Sequence, residues 1–185
     1  AIDNDLIGMS VLVMCNGSES DVFHYGLSDI STERPISERT YYRIASISKT
    51  ITATALMQLY ENGYFEIDDD INNYLDFNII HPSYPDRTIT FRHLLSHTSG
   101  LQDGSGYNNF LSASYSQTPP PHISELLTTS GDYYTTDMFH NHQPGSYFTY
   151  SNINYGIIGT LIEQISGQRF DLYVRDSILL PLGIT

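Results

Sequence analysis

The chain has 185 residues, a formal net charge of −13 and 40% hydrophobic residues without a long apolar run. That length can bury a real core as one domain or two small subdomains, and the composition predicts a globular chain with no transmembrane segment. So acidic a surface would repel nucleic acid and anionic membranes, so neither is an expected partner.

In chain order, strands come first. Gly8 to Cys15 is a β-rich apolar run, Asn16-Gly17 a turn signal and Val22 to Gly26 a second strand, which together predict a hairpin. The single cysteine, Cys15, cannot form an internal disulfide. Its apolar context predicts a buried strand position, and the redox compartment stays open. Ser31 to Thr40 is polar, contains Pro35 and predicts a loop. A helix is expected from Ser46 to about Asn62, with Ile47, Ile51, Ala55, Leu56 and Leu59 on one side and Gly63 as its stop. Asp68-Asp69-Asp70 predicts the acidic, solvated start of a short helix. Thr90 to Leu95 predicts another, capped by Thr90, with Gly100 after its end. Residues 103–115 are rich in Gly, Asn and Ser. Pro119-Pro120-Pro121 then precedes an expected helix from His122 to about Thr129. Pro144-Gly145 marks a turn, Ile153 to Ser166 an amphipathic helix closed by Gly167, and Phe170 to Leu179 a helix ended by Pro181. There is no internal repeat. The chain opens at Ala1 without a methionine or a basic-then-apolar leader, a start that a removed signal peptide or other trimming would equally produce.

Lys49 is the only lysine, beside seven arginines. Lysine normally serves solvated faces, so a chain that retains one suggests a use for its amine. At i, i+3 on a helix, Ser46 and Lys49 share a face, and a hydroxyl beside an ammonium is the geometry of an activated nucleophile. Ser46 would also open its helix, near unpaired N–H groups and the positive end of the dipole, where an oxyanion is stabilised. The plain alternatives are a serine N-cap and a solvated lysine.

Four separated stretches decide between these readings. Tyr42-Arg43-Ile44-Ala45-Ser46-Ile47-Ser48-Lys49 resembles the nucleophile motif of serine β-lactamase-like and penicillin-binding-protein-like hydrolases, nearest to the branch of class C β-lactamases, D-stereospecific peptidases and related esterases. Tyr150-Ser151-Asn152 is similar to that branch's Tyr-x-Asn motif, with Pro144-Gly145 upstream. Leu94 to Leu101 (Leu-Leu-Ser-His-Thr-Ser-Gly-Leu) and Pro181-Leu182-Gly183 agree, in the family's order. The resemblance implies an α+β fold of β-lactamase/DD-peptidase type: an antiparallel sheet flanked by helices, plus a mainly helical subdomain. Residues 1–62 would begin the α/β subdomain and carry the nucleophile helix. Residues 63–168 would be the helical subdomain with Tyr-Ser-Asn, and 169–185 a helix leading back.

The resemblance implies a serine hydrolase acting through an acyl-enzyme on a β-lactam, D-amino-acid peptide or ester. Its implied catalytic residues are Ser46, Lys49 and Tyr150, with Asn152 on the substrate or on Lys49, and it implies no metal or organic cofactor. Tyr150 would be the general base. A phenol with an ordinary pKa of about 10 needs a nearby cation for that task, which Lys49 would supply; as a neutral amine Lys49 could instead accept the serine proton itself. Family members also carry a Lys-Thr-Gly or His-x-Gly motif on a later strand, which supplies a second oxyanion donor and which this chain lacks. The expectation is therefore an N-terminal fragment whose sheet is completed by a C-terminal remainder or complementary chain, doubtful in activity alone, in a periplasmic or secreted protein. The competing reading is a non-catalytic relative that binds or assembles.

Other constellations read as structural. His93 and His97 lie at i, i+4, but Leu94 stands where a zinc protease places its glutamate. His140 and His142 have no cysteine cluster to join. The aspartate run lacks the alternation and glycine of a calcium loop. Gly104-Ser105-Gly106 follows no clear strand and no lysine follows it, which disfavours a phosphate loop.

Overall fold

The computed structural model describes residues 6–184. The chain divides into two compact units, one ending at Ala45 and the other beginning at Ser46.

The first unit is a small antiparallel sheet. Strands β1 (Gly8–Cys15) and β2 (Ser18–Asp29) pair from Gly8↔Gly26 to Cys15↔Ser18, with a register shift at Val13/Met14. Asn16 and Gly17 join them at φ 51° and 78°. Positive φ at both central residues is what a two-residue turn matched to strand twist requires. The expected loop after β2 holds one short strand, β3 (Arg34–Pro35), against Leu27 and Asp29. Asp29 shapes the approach to it by accepting hydrogen bonds from the Ser31 amide and hydroxyl. Val11, Leu12, Val13, Met14, Val22 and Phe23 are exposed on this hairpin. Cys15 is exposed too, contrary to expectation, as is every β1 residue from Ser10 onward.

The second unit is helical. One 3₁₀ turn (Ala45–Ile47) leads into α1 (Ser48–Glu61), so the regular helix starts slightly later than predicted. Ala55, Leu56 and Leu59 are its buried stripe; Ile47 is 63% exposed, because it lies in the entry turn rather than on that stripe. Asp68, Asp69 and Asp70 do lead into a short helix, a single 3₁₀ turn, with Asp68 exposed as expected and Asp69 and Asp70 half-buried. Asp68 pairs with Arg92, Asp69 accepts from the Tyr74 hydroxyl, and Asp70 caps a 3₁₀ turn at Ile71–Asn73. Helix α2 (Phe91–Leu95) is capped by Thr90, whose hydroxyl accepts from the His93 amide.

Most of residues 103–115 lie in α3 (Ser105–Ser116), a helix of poor formers that is held by its surroundings. Its first amide, Ser105 N, donates to Asp137 at 2.9 Å. The side-chain cap satisfies a donor that the helix itself leaves open. Helix α4 (Ser124–Leu127) is shorter than predicted. Helix α5 (Asn152–Ser166) ends at Gly167 in the left-handed region, φ 69°. The last predicted helix is regular only over α6 (Phe170–Val174), then loosens into a π turn and a 3₁₀ turn that contains Pro181.

The core forms where α1 meets α5. Leu56 and Leu59 lie in one buried cluster with Ile157, Ile158, Leu161 and Ile162, and Phe65 stacks on Phe91 with centroids 3.9 Å apart. Each such burial is worth about 1.5–3 kcal/mol. This packing also brings Lys49 and Asn152, 103 residues apart in sequence, within hydrogen-bond reach. No described helix is long and apolar enough to cross a membrane.

Candidate active site

Ser46 stands in the 3₁₀ turn, just after Ala45, which adopts φ 44°. A non-glycine residue in that region costs about 1–2 kcal/mol, and such strain concentrates at functional sites. Lys49 lies in the first turn of α1, and its Nζ donates to Ser46 Oγ at 3.3 Å. Tyr150 Oη donates to the same oxygen at 2.6 Å. Lys49 Nζ also donates to Asn152 Oδ1 at 2.7 Å and lies 4.9 Å from the Tyr150 ring centroid. All four residues singled out in the sequence thus meet.

The electrostatics follow from this crowding. The phenol of Tyr150 is held below its ordinary pKa, first by hydrogen bonding with the Lys49 ammonium and then with the Ser46 hydroxyl. Desolvation and the Asp103 charge oppose that shift. An anionic phenolate 2.6 Å from a hydroxyl can take its proton, and the adjacent ammonium keeps the phenolate from being too costly.

Two further residues, His97, read in the sequence as structural, and Asp103, which the sequence reading missed, hold the segment that carries Tyr150. His97 follows α2 at φ 56°, outside the helix, so the i, i+4 relation with His93 is never realised as a helical face. Its carbonyl accepts from Thr149 N and its Nδ1 from Ser151 N, while its ring lies 4.6 Å from that of Tyr150. Burial first, and then the Lys49 charge, push the His97 imidazole below its usual pKa, towards the neutral form that can accept. Gly145 N donates to Thr98 O at 2.7 Å. Gly145 has φ 85°, and a Cβ there would stand 2.9 Å from His93 Nε2, so glycine is required. The second of them is half-buried Asp103. It accepts from the Ser151 hydroxyl (2.8 Å), the Asn152 and Ile153 amides (3.1 Å each) and Asn152 Nδ2 (2.7 Å). The one available signal was its place just after Leu94 to Leu101, which does not distinguish it from the other acidic residues.

Comparison with known proteins settles the family. The beta-lactamase family model matches residues 2–185. The chain belongs to the beta-lactamase family. It is 29% identical to protein flp of Staphylococcus aureus (strain NCTC 8325 / PS 47), covering 96% of this chain and 34% of that protein. It is 29% identical to penicillin-binding protein 4* of Bacillus subtilis (strain 168), covering 86% of this chain and 33% of the relative. Among solved structures, the octameric penicillin-binding protein homologue of Pyrococcus abyssi superposes with a TM-score of 0.75 at 26% identity, over 98% of this chain and 40% of that one. This beta-lactamase-family chain therefore has the α+β fold of penicillin-binding-protein relatives and spans about a third of the length of the curated relatives it matches.

Proposed function

We propose that this chain carries the acylating side of a serine hydrolase site. Ser46 Oγ attacks a substrate carbonyl carbon, and its proton passes to Tyr150 Oη, whose anionic form the Lys49 ammonium favours. The tetrahedral intermediate collapses, the bond to the leaving amine or alkoxide breaks, and Tyr150 returns the proton to that group. The acyl group stays on Ser46 as an ester. Water, losing a proton to Tyr150 in turn, attacks the ester carbonyl; the bond to Ser46 Oγ breaks, Tyr150 returns the proton to that oxygen, and the acid leaves. The observation that carries this reading is the meeting of Tyr150 Oη and Lys49 Nζ at one oxygen, Ser46 Oγ, at 2.6 and 3.3 Å.

The oxyanion would lie at the Ser46 amide and one further donor. That donor, in this reading, belongs to a C-terminal remainder or complementary chain that also completes the sheet along the open hairpin. The one-third coverage of the relatives supports this division. In the same reading 1–62 and 169–185 belong with such a remainder and 63–168 form the helical subdomain. A missing oxyanion donor costs about 10²–10³ in rate. The substrate class is a β-lactam, D-amino-acid peptide or ester, and the likeness to penicillin-binding proteins favours the first two. A periplasmic or secreted setting fits cell-wall chemistry of that kind.

A panel of penicillin, a D-Ala-D-Ala peptide and a nitrophenyl ester, run on the full chain and on Ser46→Ala, tests the proposal. At least one class should be turned over or bound covalently by the wild type and lost in Ser46→Ala. A folded wild type inert to all three, with or without the complementary part, would favour the non-catalytic reading.

A further inference from the structure

We propose that Asp103 is a positioning residue, whose carboxylate holds the Asn152 amide with its oxygen facing the Lys49 ammonium beside Ser46. The inference deepens the acylation reading above and rests on it for its functional meaning. The argument begins with which groups can donate. A carboxylate only accepts hydrogen bonds and an ammonium only donates, whereas a primary amide does one at each end. Asn152 lies between the two, with Nδ2 2.7 Å from Asp103 Oδ2 and Oδ1 2.7 Å from Lys49 Nζ. With these neighbours only one orientation of the amide satisfies both ends. Turning it over would set NH₂ against an ammonium and oxygen against a carboxylate.

Lys49 alone would favour the same orientation, but it sits on a long flexible stem and also serves Ser46 Oγ. Asp103 is the fixed end. Its two oxygens take the Asn152 and Ile153 amides at the start of α5 and the Ser151 hydroxyl as well, so the carboxylate is tied to the backbone that carries Asn152. The line Asp103–Asn152–Lys49 therefore transmits the geometry of the α5 start to the ammonium next to the nucleophile. A helix cap alone would need the amide contacts; the Nδ2 contact adds nothing to a cap and is explained by positioning.

Because Lys49 is the only lysine among these 185 residues, the 185-residue chain labelled with [¹⁵N]lysine gives a single side-chain ammonium resonance. The proposal expects that resonance to be visible and slow to exchange with water in the wild type. In Asp103→Asn, four donors compete for one carbonyl oxygen, the amide of Asn152 loosens, and the ammonium exchanges about tenfold faster or more, the size set by one charge-assisted hydrogen bond. Asp103→Ala should do the same. Ser151→Ala, which removes a different ligand of Asp103, should lower the melting temperature modestly and leave the exchange within about twofold. Unchanged ammonium exchange in a folded Asp103→Asn, with only a lower melting temperature, would reduce Asp103 to a helix cap and overturn the proposal. If the Asp103 variants do not fold, the wild type still decides. With [¹⁵N]asparagine, the Asn152 NH₂ must be protected from exchange, and a rapidly exchanging NH₂ overturns the proposal. None of these readouts needs acylation. A wild type that is not acylated at Ser46 defeats the functional reading alone, whereas an acylated wild type with unaltered Asp103→Asn exchange defeats this inference alone.

Discussion

Tyr150→Phe separates catalysis from packing at a single atom. The substitution removes only Oη, which lies 2.6 Å from Ser46 Oγ. The ring keeps its neighbours, the His97 imidazole at 4.6 Å and the Lys49 ammonium at 4.9 Å from its centroid. Tyr150 is 47% exposed, so water replaces the lost hydrogen bond and the stability cost should stay within about 0.5–1.5 kcal/mol. The rate is a different matter. Loss of a positioned general base typically costs about 10²–10⁴, or roughly 3–5.5 kcal/mol of barrier at 1.4 kcal/mol per tenfold. The assay is the pseudo-first-order rate of covalent labelling by a fluorescent penicillin or a fluorophosphonate, beside a thermal melt on the same sample. Slow labelling with a near-native melt is expected. Labelling within about threefold of the wild type would refute the assignment of Tyr150, and an equal loss of stability and rate would make it a packing residue.

Three further outcomes follow from the same geometry. Lys49→Met removes the cation that lowers the Tyr150 pKa, so the acid limb of the labelling-rate profile should move to higher pH, measured between pH 5 and 10. Stability should fall between pH 7.5 and 5. Burial lowers the pKa of His81, His93, His97 and His140 below the ordinary value, so the unfolded chain binds more protons there; the stabilisation is full above about pH 6.5 and is lost as pH falls through the lowered values. Chemical denaturation at both pH values checks it, and an unchanged midpoint contradicts it. Leu161→Ala, at a position with no exposure, should destabilise by about 2–5 kcal/mol without altering the site chemistry per folded molecule.

The legible parts of this chain were those with local signals. A lone lysine one turn after Ser46, and Tyr150-Ser151-Asn152 at the head of an amphipathic helix, could be picked out because each pattern sits within a few neighbouring residues. Gly167 and Thr90 were readable for the same reason, as helix ends announce themselves in sequence. Asp103 was not readable, because its partners begin 48 residues later and only the docking of the 97–103 segment against α5 reveals them. Helix α3 was hidden by its Gly, Ser and Asn content; tertiary packing, with Ala113 buried and Asp137 at its start, overrides weak propensity. Periodicity also misplaced Ile47, since the 3₁₀ entry turn rotates it off the buried stripe of α1. In the aspartate run Asp68 is exposed as read, but its pairing with Arg92, 24 residues on, carries no local signal.

The central claim is that Ser46 is the atom acylated. Peptide mapping of the full chain after treatment with penicillin or a fluorophosphonate addresses it directly. One adduct per chain is expected, on the peptide bearing Ser46, absent in Ser46→Ala and slowed in Lys49→Met. An adduct that persists in Ser46→Ala, or that maps to another residue, would contradict the account.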